Sequence, residues 1–333
     1  MRDASAFLAA TAWAQARHAH LAGDASARAY ERLSLGGKTA VLMDAPKGCG
    51  DDIGDFLRIG AHLRGLGLSA PATYAADEAA GFALIEDLGD AVFTQVVAAD
   101  LAKEAPLYRR AAEVLAHLQA APPPKGLANL SAQQWAQSTD FALDFYAKGI
   151  TGQRPDAALI ARLHEALCRY ADGPRVLLLR DFHAGNLIWL PEREGLAQVG
   201  LLDYQLAQLG QPEYDLVSLL QDARRDVQPQ TQALVLQAFA EAKGKPMAEI
   251  LPAYAALGAL RALRILGIFA RLCILSGKDQ YLVHLPRVWG QLRENIAHPA
   301  LGELQAAILR ALPEPTPQAI EEIRKKCLTP ASL

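Results

Sequence analysis

Between Leu177 and Leu190 the chain reads LLLRDFHAGNLIWL: an apolar run, a knot of Arg, Asp, His and Asn, then a second apolar run. Both apolar runs seek burial, so the polar knot between them has to sit on a turn held by buried segments. A few residues later QVGLLDY forms another apolar run, and PEREGLA lies between it and NLIWL with the composition of a turn. The two runs read as an isolated hairpin whose ends bring Asn186 and Asp203 near one another. Any fold for this chain must accommodate that hairpin and the knot before it.

The rest of the sequence divides by periodicity. MRDASAFLAATAWAQARHAHLAG reads as a first amphipathic helix, its apolar stretch broken too soon for a secretory leader. ARAYERLSLGGKTAVLMDAP gives two strand-like runs joined by Leu35-Gly36-Gly37-Lys38, a glycine turn suited to a hairpin. Asp51 to Leu66 is helical, with Ile53, Phe56, Leu57, Ile59, Leu63 and Leu66 on one face. Two more strands follow around the turn from Glu78 to Gly81. Hairpin, helix and hairpin predict a small sheet-based lobe over 1–89. Beyond Gly89 the pattern turns helical: about Ala91 to Ala120, stopped by Pro122-Pro123-Pro124, then around Gln133–Lys148 and Asp156–Tyr170, and from Tyr214 almost to the end. Apart from the hairpin, a mainly helical lobe over 90–333 is expected. The fold class is therefore α+β, two-lobed, with a small antiparallel-sheet N-lobe and a large helical C-lobe.

Length and charge bound the function. A chain of 333 residues is long enough for two packed lobes and a cleft. A net charge of −3 gives no reason to expect a nucleic acid partner. Cys49, Cys168, Cys273 and Cys327 are scattered without a CxxC pair, which suits reduced structural thiols and a cytoplasmic protein. The most lipid-like segment, Ala253 to Gly277, carries Arg261, Arg264 and Arg271. Placing each of these at bilayer depth costs about 2.5 kcal/mol or more, so a buried helix rather than a membrane span is expected.

Three oxygen-bearing side chains then need one explanation: Asp181 and Asn186 before the hairpin, and Asp203 after it. A hard cation such as Mg²⁺ is held by one or two carboxylates with amide oxygens, water and substrate phosphates, and Asn186 with Asp203 could supply the protein share. Asp181 precedes them on the loop, where a general base could accept a proton from an attacking hydroxyl. Spacing alone leaves the alternative open that Asp181 and Asn186 cap turns and Asp203 ends a strand.

RDFHAGNL and LLDYQ resemble the catalytic loop and metal-binding segment of the aminoglycoside phosphotransferase/choline kinase family, relatives of the eukaryotic protein kinases. GDASARAYERL, VLMDAP, IEDLGD, EYDLVSLLQDARRDV and RALRILGIFARL extend the resemblance, in order, over nearly the whole chain. More narrowly the combination is similar to bacterial anomeric amino-sugar kinases of cell-wall recycling, which phosphorylate C1 of N-acetylmuramate and N-acetylglucosamine. The resemblance implies a protein-kinase-like fold, ATP and Mg²⁺ as cofactors, and a small amino-sugar substrate. It makes Asp181 the catalytic-loop base, Asn186 and Asp203 the Mg²⁺ ligands, and Glu86, Asp87 and Leu88 the hinge whose backbone holds adenine. It assigns Gly23, Asp24, Ala25 and Ser26 to the turn that covers the phosphates. His183 stands where protein kinases carry a lysine facing the transferred group; a hydrogen bond to that group and a structural role are both open. Asp215 matches an aspartate that braces the catalytic loop.

Two departures from the family pattern matter. Met43 stands where many relatives have a lysine for the α- and β-phosphates, which leaves Arg28, Arg32, Lys38 and Lys47 as candidates, each with a solvated surface cation as the alternative. Leu179 replaces an architectural histidine, and Leu206 an acidic residue after DYQ. For the acceptor, Arg180, Arg224, Arg225, Arg261 and Arg264 suit an anionic or neutral sugar better than a polycation. Internal ion pairing is the alternative for each, and Arg180 is preferred because it adjoins the base. An aminoglycoside, choline or other small-alcohol kinase and a nucleotide-binding pseudokinase stand as rival readings.

Overall fold

The computed structural model describes residues 1–21, 28–48 and 53–328. Helix α1 (Ser5–Ala9) is short, and strand β1 (Arg17–Leu21) follows where the sequence pattern predicts a continuing helix. The strand forms because β2 (Ala29–Leu35) offers a partner: Arg17 lies opposite Ser34 and Leu21 opposite Tyr30. A sheet ladder outweighs the helix propensity of an Ala-rich run. Phe7, Leu8, Trp13 and Ala16 fold over the sheet face that carries Leu33, Leu42 and Leu84. β3 (Lys38–Asp44) returns from β2 through Gly36 and Gly37, whose φ of +58° and +77° make the tight turn that the glycines permit. Helix α2 (Ile53–Gly65) buries Ile53, Phe56, Ile59 and Leu63 as its spacing predicts. The hairpin of β4 (Thr73–Asp77) and β5 (Phe82–Glu86) completes a five-stranded antiparallel sheet of order β1-β2-β3-β5-β4. Val41 and Met43 share its second face with Ile85 and Ala83, their register partners.

After α3 (Phe93–Ala99) and α4 (Glu104–Ala120) come α5 (Ala132–Gln137), α6 (Lys148–Thr151) and α7 (Ala158–Tyr170). A Ser131/Gln134 capping box starts α5, and a π-helical turn at Ala142–Ala147 leads into α6. Then come β6 (Val176–Leu178), β7 (Leu187–Trp189), β8 (Val199–Leu201) and β9 (Gln208–Gly210). Helices α8 (Glu213–Leu220), α9 (Pro229–Lys243), α10 (Met247–Ser276), α11 (Leu285–Ile296), α12 (Gly302–Ala311) and α13 (Pro317–Arg324) complete the chain.

The contacts define two compact units, drawn differently from a division at residue 89. One holds Met1–Leu127 with Leu179–Gln208; the other holds Ala128–Leu178 with Leu209–Leu333. Hairpin β7–β8 belongs to the first because its backbone is bonded there. Trp189 N–H donates to the Ala91 carbonyl and Leu201 N–H to the Ser69 carbonyl, each at 2.8 Å. Leu88 also packs with Ile188 and Leu190.

In the second unit α10 is the central helix, buried along most of its 30 residues. No helix among the described residues is long and apolar enough to cross a membrane. Its arginines are absorbed locally: Arg261 donates to Ser218 Oγ at 2.9 Å, while Arg264 and Arg271 lie over the rings of Trp135 and Phe141. The backbone at Phe141 approaches so closely that a Cβ at Gly267 would stand 2.3 Å from its carbonyl carbon. Gly to Ala in a helix normally gains about 1 kcal/mol. Gly267→Ala should instead lower stability by about 1–3 kcal/mol through overpacking, read from urea unfolding of the intact protein.

Candidate active site

The polar knot of the sequence forms a tight loop. Leu179 is buried, and Asp181 N–H donates to the Leu179 carbonyl at 2.9 Å around Arg180, whose φ is +71°. This is a γ-turn in the left-handed region, a geometry that costs about 1–3 kcal/mol in a non-glycine residue. His183, nine-tenths buried, caps the 3₁₀ turn Ala184–Asn186: its Nδ1 accepts from Gly185 N–H at 3.2 Å. Its Nε2 lies 3.4 Å from Asn186 Nδ2. Asn186 Nδ2 in turn donates to the Asp181 carbonyl at 2.9 Å. With that amide nitrogen engaged, Oδ1 is the atom Asn186 can offer a cation.

Hairpin register brings the third oxygen donor in. Leu187 pairs with Leu201 and Trp189 with Val199, and one step further Leu202 N–H donates to the Asn186 carbonyl at 3.0 Å. Leu202 is therefore the residue opposite Asn186, and Asp203 follows it in the chain, near Asn186 as the hairpin reading predicts. The Asp203 φ of +57° is the second positive value at a non-glycine residue among those described. Asp203 Oδ1 accepts from Arg28 Nη2 at 2.7 Å and from Gln205 Nε2 at 3.0 Å.

Tyr204 anchors the segment from behind. Fully buried, it stacks on Phe56 of α2 at a centroid distance of 5.0 Å. Its hydroxyl lies where a side chain on Gly60 would begin, 2.6 Å from an ideal Cβ. Burial pushes the Tyr204 phenol well above the ordinary tyrosine range.

At the expected hinge the side chains are already engaged. Glu86 accepts from Arg193 and from Ala72 N–H, Asp87 pairs with Arg32 at 2.7 Å, and Leu88 is buried against Ile188 and Leu190. A base bound there would meet backbone amides and carbonyls. Of the four candidate cations, Arg32 is held by Asp90 and Asp87, whose hydrogen bonds and charge raise its pKa further. Lys38 and Lys47 are exposed, Met43 is fully buried in β3, and Arg28 alone of the four reaches Asp203. Gly23, Asp24, Ala25 and Ser26 lie outside the described residues. In the second unit Asp215 is fully buried in the first turn of α8, and Arg224 N–H donates to Asp222 Oδ1.

No three His, Cys, Asp or Glu side chains converge as a metal site among the described residues. Asn186 and Asp203 are a pair of hard oxygen donors, the small protein share that Mg²⁺ takes when substrate phosphates complete its shell, so the residues present fit that ion. The sequence gives Tyr204 and Gln205 no role beyond membership of LLDYQ, and Gly60 is only a glycine amid a helical pattern.

Solved structures share this architecture. A choline/ethanolamine kinase family protein from Mesorhizobium loti matches with a TM-score of 0.63 at 13% identity, over 97% of this chain and 98% of that one. A microcompartment-associated aminopropanol kinase matches at 0.61 and 17%, over 90% and 98%. At such identities the likeness defines the α+β, protein-kinase-like fold class. The sequence model of the phosphotransferase enzyme family matches residues 18–267, and the chain belongs to that family. It is 39% identical to the N-acetylmuramate/N-acetylglucosamine kinase of Caulobacter vibrioides over 94% of this chain and 96% of that protein. With the protein of the same description in Pseudomonas aeruginosa it shares 30% over 92% of each. The protein is a phosphotransferase with an alcohol group as acceptor.

The Tyr204 hydroxyl has no hydrogen-bond partner among the described residues. Tyr204→Phe should therefore leave stability unchanged or raised, because a buried unpaired hydroxyl costs about 1–3 kcal/mol. Gly60→Ala should destabilise the wild-type protein and cost less once Tyr204→Phe has removed the hydroxyl, the ring carbon behind it standing at 3.2 Å. Thermal unfolding of the two single variants and the double variant measures that coupling.

Proposed function

We propose that the protein is an ATP- and Mg²⁺-dependent sugar kinase that transfers the γ-phosphoryl group to C1 of N-acetylmuramate or N-acetylglucosamine, in cytoplasmic recycling of peptidoglycan. The observation that carries this reading is the loop in which Asn186 donates to the Asp181 carbonyl and accepts from Leu202 N–H, the residue before Asp203, found in a chain 39% identical to a protein of that description. A chain relieved of catalysis would have no physical need to hold a base and two oxygen ligands together.

In this reading Asp181 accepts the hydrogen bond of the sugar hydroxyl and takes its proton as the bond to phosphorus forms. A hemiacetal hydroxyl is more acidic than an ordinary alcohol, so aiming the nucleophile matters more than strength of the base. Asn186 and Asp203 would hold Mg²⁺, which when bound neutralises charge on the phosphates. Leu88, Asp87 and Glu86 offer backbone to adenine, their side chains being committed elsewhere. Arg180 sets a positive charge beside the base, which suits an acceptor bearing a carboxylate such as muramate. His183 acts by bracing the turn that presents Asn186.

Two measurements test the proposal. ³¹P NMR of a reaction with ATP, Mg²⁺ and N-acetylmuramate or N-acetylglucosamine should show a sugar 1-phosphate. Turnover on an aminoglycoside or choline without that product would discard the acceptor, and nucleotide binding with no turnover on any acceptor would leave a pseudokinase. Asp181→Asn should lower kcat by about 10²–10⁴-fold, the usual worth of a general base, with nucleotide affinity nearly unchanged. Equal losses in both would contradict the role assigned to Asp181.

A further inference from the structure

Arg28 stands one residue before β2, and the register of Ala29 with Asp44 and Tyr30 with Met43 puts it just past the end of the ladder. By the two-residue period of a strand it shares a face with Tyr30 and Met43. Only 7% of its side chain is exposed, yet it keeps a charge that must be met. A partner lies 175 positions away in sequence: Asp203, whose Oδ1 is 2.7 Å from Arg28 Nη2. On the same oxygen Gln205, 4% exposed, places its Nε2 at 3.0 Å. Asp203 itself is 38% exposed at its side chain, so one carboxylate oxygen is gripped by two donors from the interior while the group still faces solvent.

We propose that Arg28 and Gln205 form a two-donor clamp that positions Asp203, fixing Oδ1 inward so that Oδ2 is presented to the nucleotide-bound cation. The proposal rests on the reading of Asp203 as a metal ligand. A carboxylate rotates about its last bond between two nearly equivalent states. A ligand that must present one oxygen in a fixed direction loses affinity for every orientation it samples. Hydrogen bonds from residues behind a metal ligand remove that freedom and are typically worth about ten- to a hundredfold in affinity. Here the need is sharper because Asp203 sits on left-handed backbone, which its surroundings must hold. On this face of the sheet β3 contributes Val41 and Met43 and no cation, so Arg28 is also the positive charge nearest the proposed ligand among the four candidates.

Binding of Mn²⁺-ADP, followed by the electron paramagnetic resonance of free Mn²⁺, reads the clamp without turnover. Arg28→Met should weaken binding by about ten- to a hundredfold, and Gln205→Leu by a smaller factor. Arg28→Lys, which restores a charge and a single donor, should recover part of the loss. In kinetics the Mg²⁺ requirement should rise more than the KM for the sugar. Asp203→Ala is the control for the underlying reading: unaltered Mn²⁺-ADP binding would remove Asp203 from the metal site altogether. Loss in Asp203→Ala with unchanged binding in Arg28→Met would overturn the clamp alone. Tighter binding in Arg28→Met would overturn it too, by making Arg28 a competitor of the metal. Should Arg28→Met fail to fold, Gln205→Leu and Arg28→Lys carry the test, and wild-type affinity in both would overturn the proposal.

Discussion

The candidate site depends on the register of one short hairpin. Leu187 opposite Leu201, Ile188 opposite Gly200 and Trp189 opposite Val199 fix where the next residues fall, and those are Asn186 and, two past Leu201, Asp203. A slip of one residue would turn the side chains to the other face and part the two oxygen donors. Three pairs are too few to hold themselves, and the hairpin is stable because its neighbours complete it. Ala91 and Ser69 take its outer N–H groups, and Leu88 presses so close that a Cβ on Gly200 would lie 3.0 Å from Leu88 Cδ1 and from Ile188 Cβ.

Strain and burial gather around this hairpin. Arg180 and Asp203, the two non-glycine residues with positive φ among those described, flank the proposed chemistry on either side. Such conformations persist when the surroundings over-determine them. Here His183 pins the turn after Asp181, while Tyr204, wedged between Phe56 and Gly60, holds the backbone behind Asp203. The polar side of Asp203 is tied by Arg28 and Gln205, so both the main chain and the carboxylate of this residue are restrained from different elements.

Much of this was legible without coordinates. Leu35-Gly36-Gly37-Lys38 announces its hairpin because only glycine takes consecutive positive φ cheaply, and PEREGLA between two apolar runs announces the other. The α2 face was readable from its spacing, and Asp181, Asn186 and Asp203 stand out as oxygen donors bracketing buried segments. β1 was not legible. Arg17 to Leu21 carries no strong strand signal, and its conformation comes from the vacant edge of β2, a partner found only by long-range contact. Nor could the four candidate cations be ranked: Arg28 and Arg32 are alike in type and separation, yet one meets Asp203 and the other Asp87 with Asp90.

The sequence by itself determined most of the elements, the glycine turns, the chemistry available and the family, because these follow from local periodicity, side-chain type and motif order. Tertiary structure alone decided that Leu179–Gln208 joins the N-terminal unit and that Arg28 finds Asp203 across most of the chain. It also decided that Gly60 leaves room for the Tyr204 hydroxyl. The reason is physical: local signals act over a few residues, whereas a buried charge or a packed ring is satisfied by whatever the fold brings within a few ångströms, and no spacing in the sequence encodes that distance.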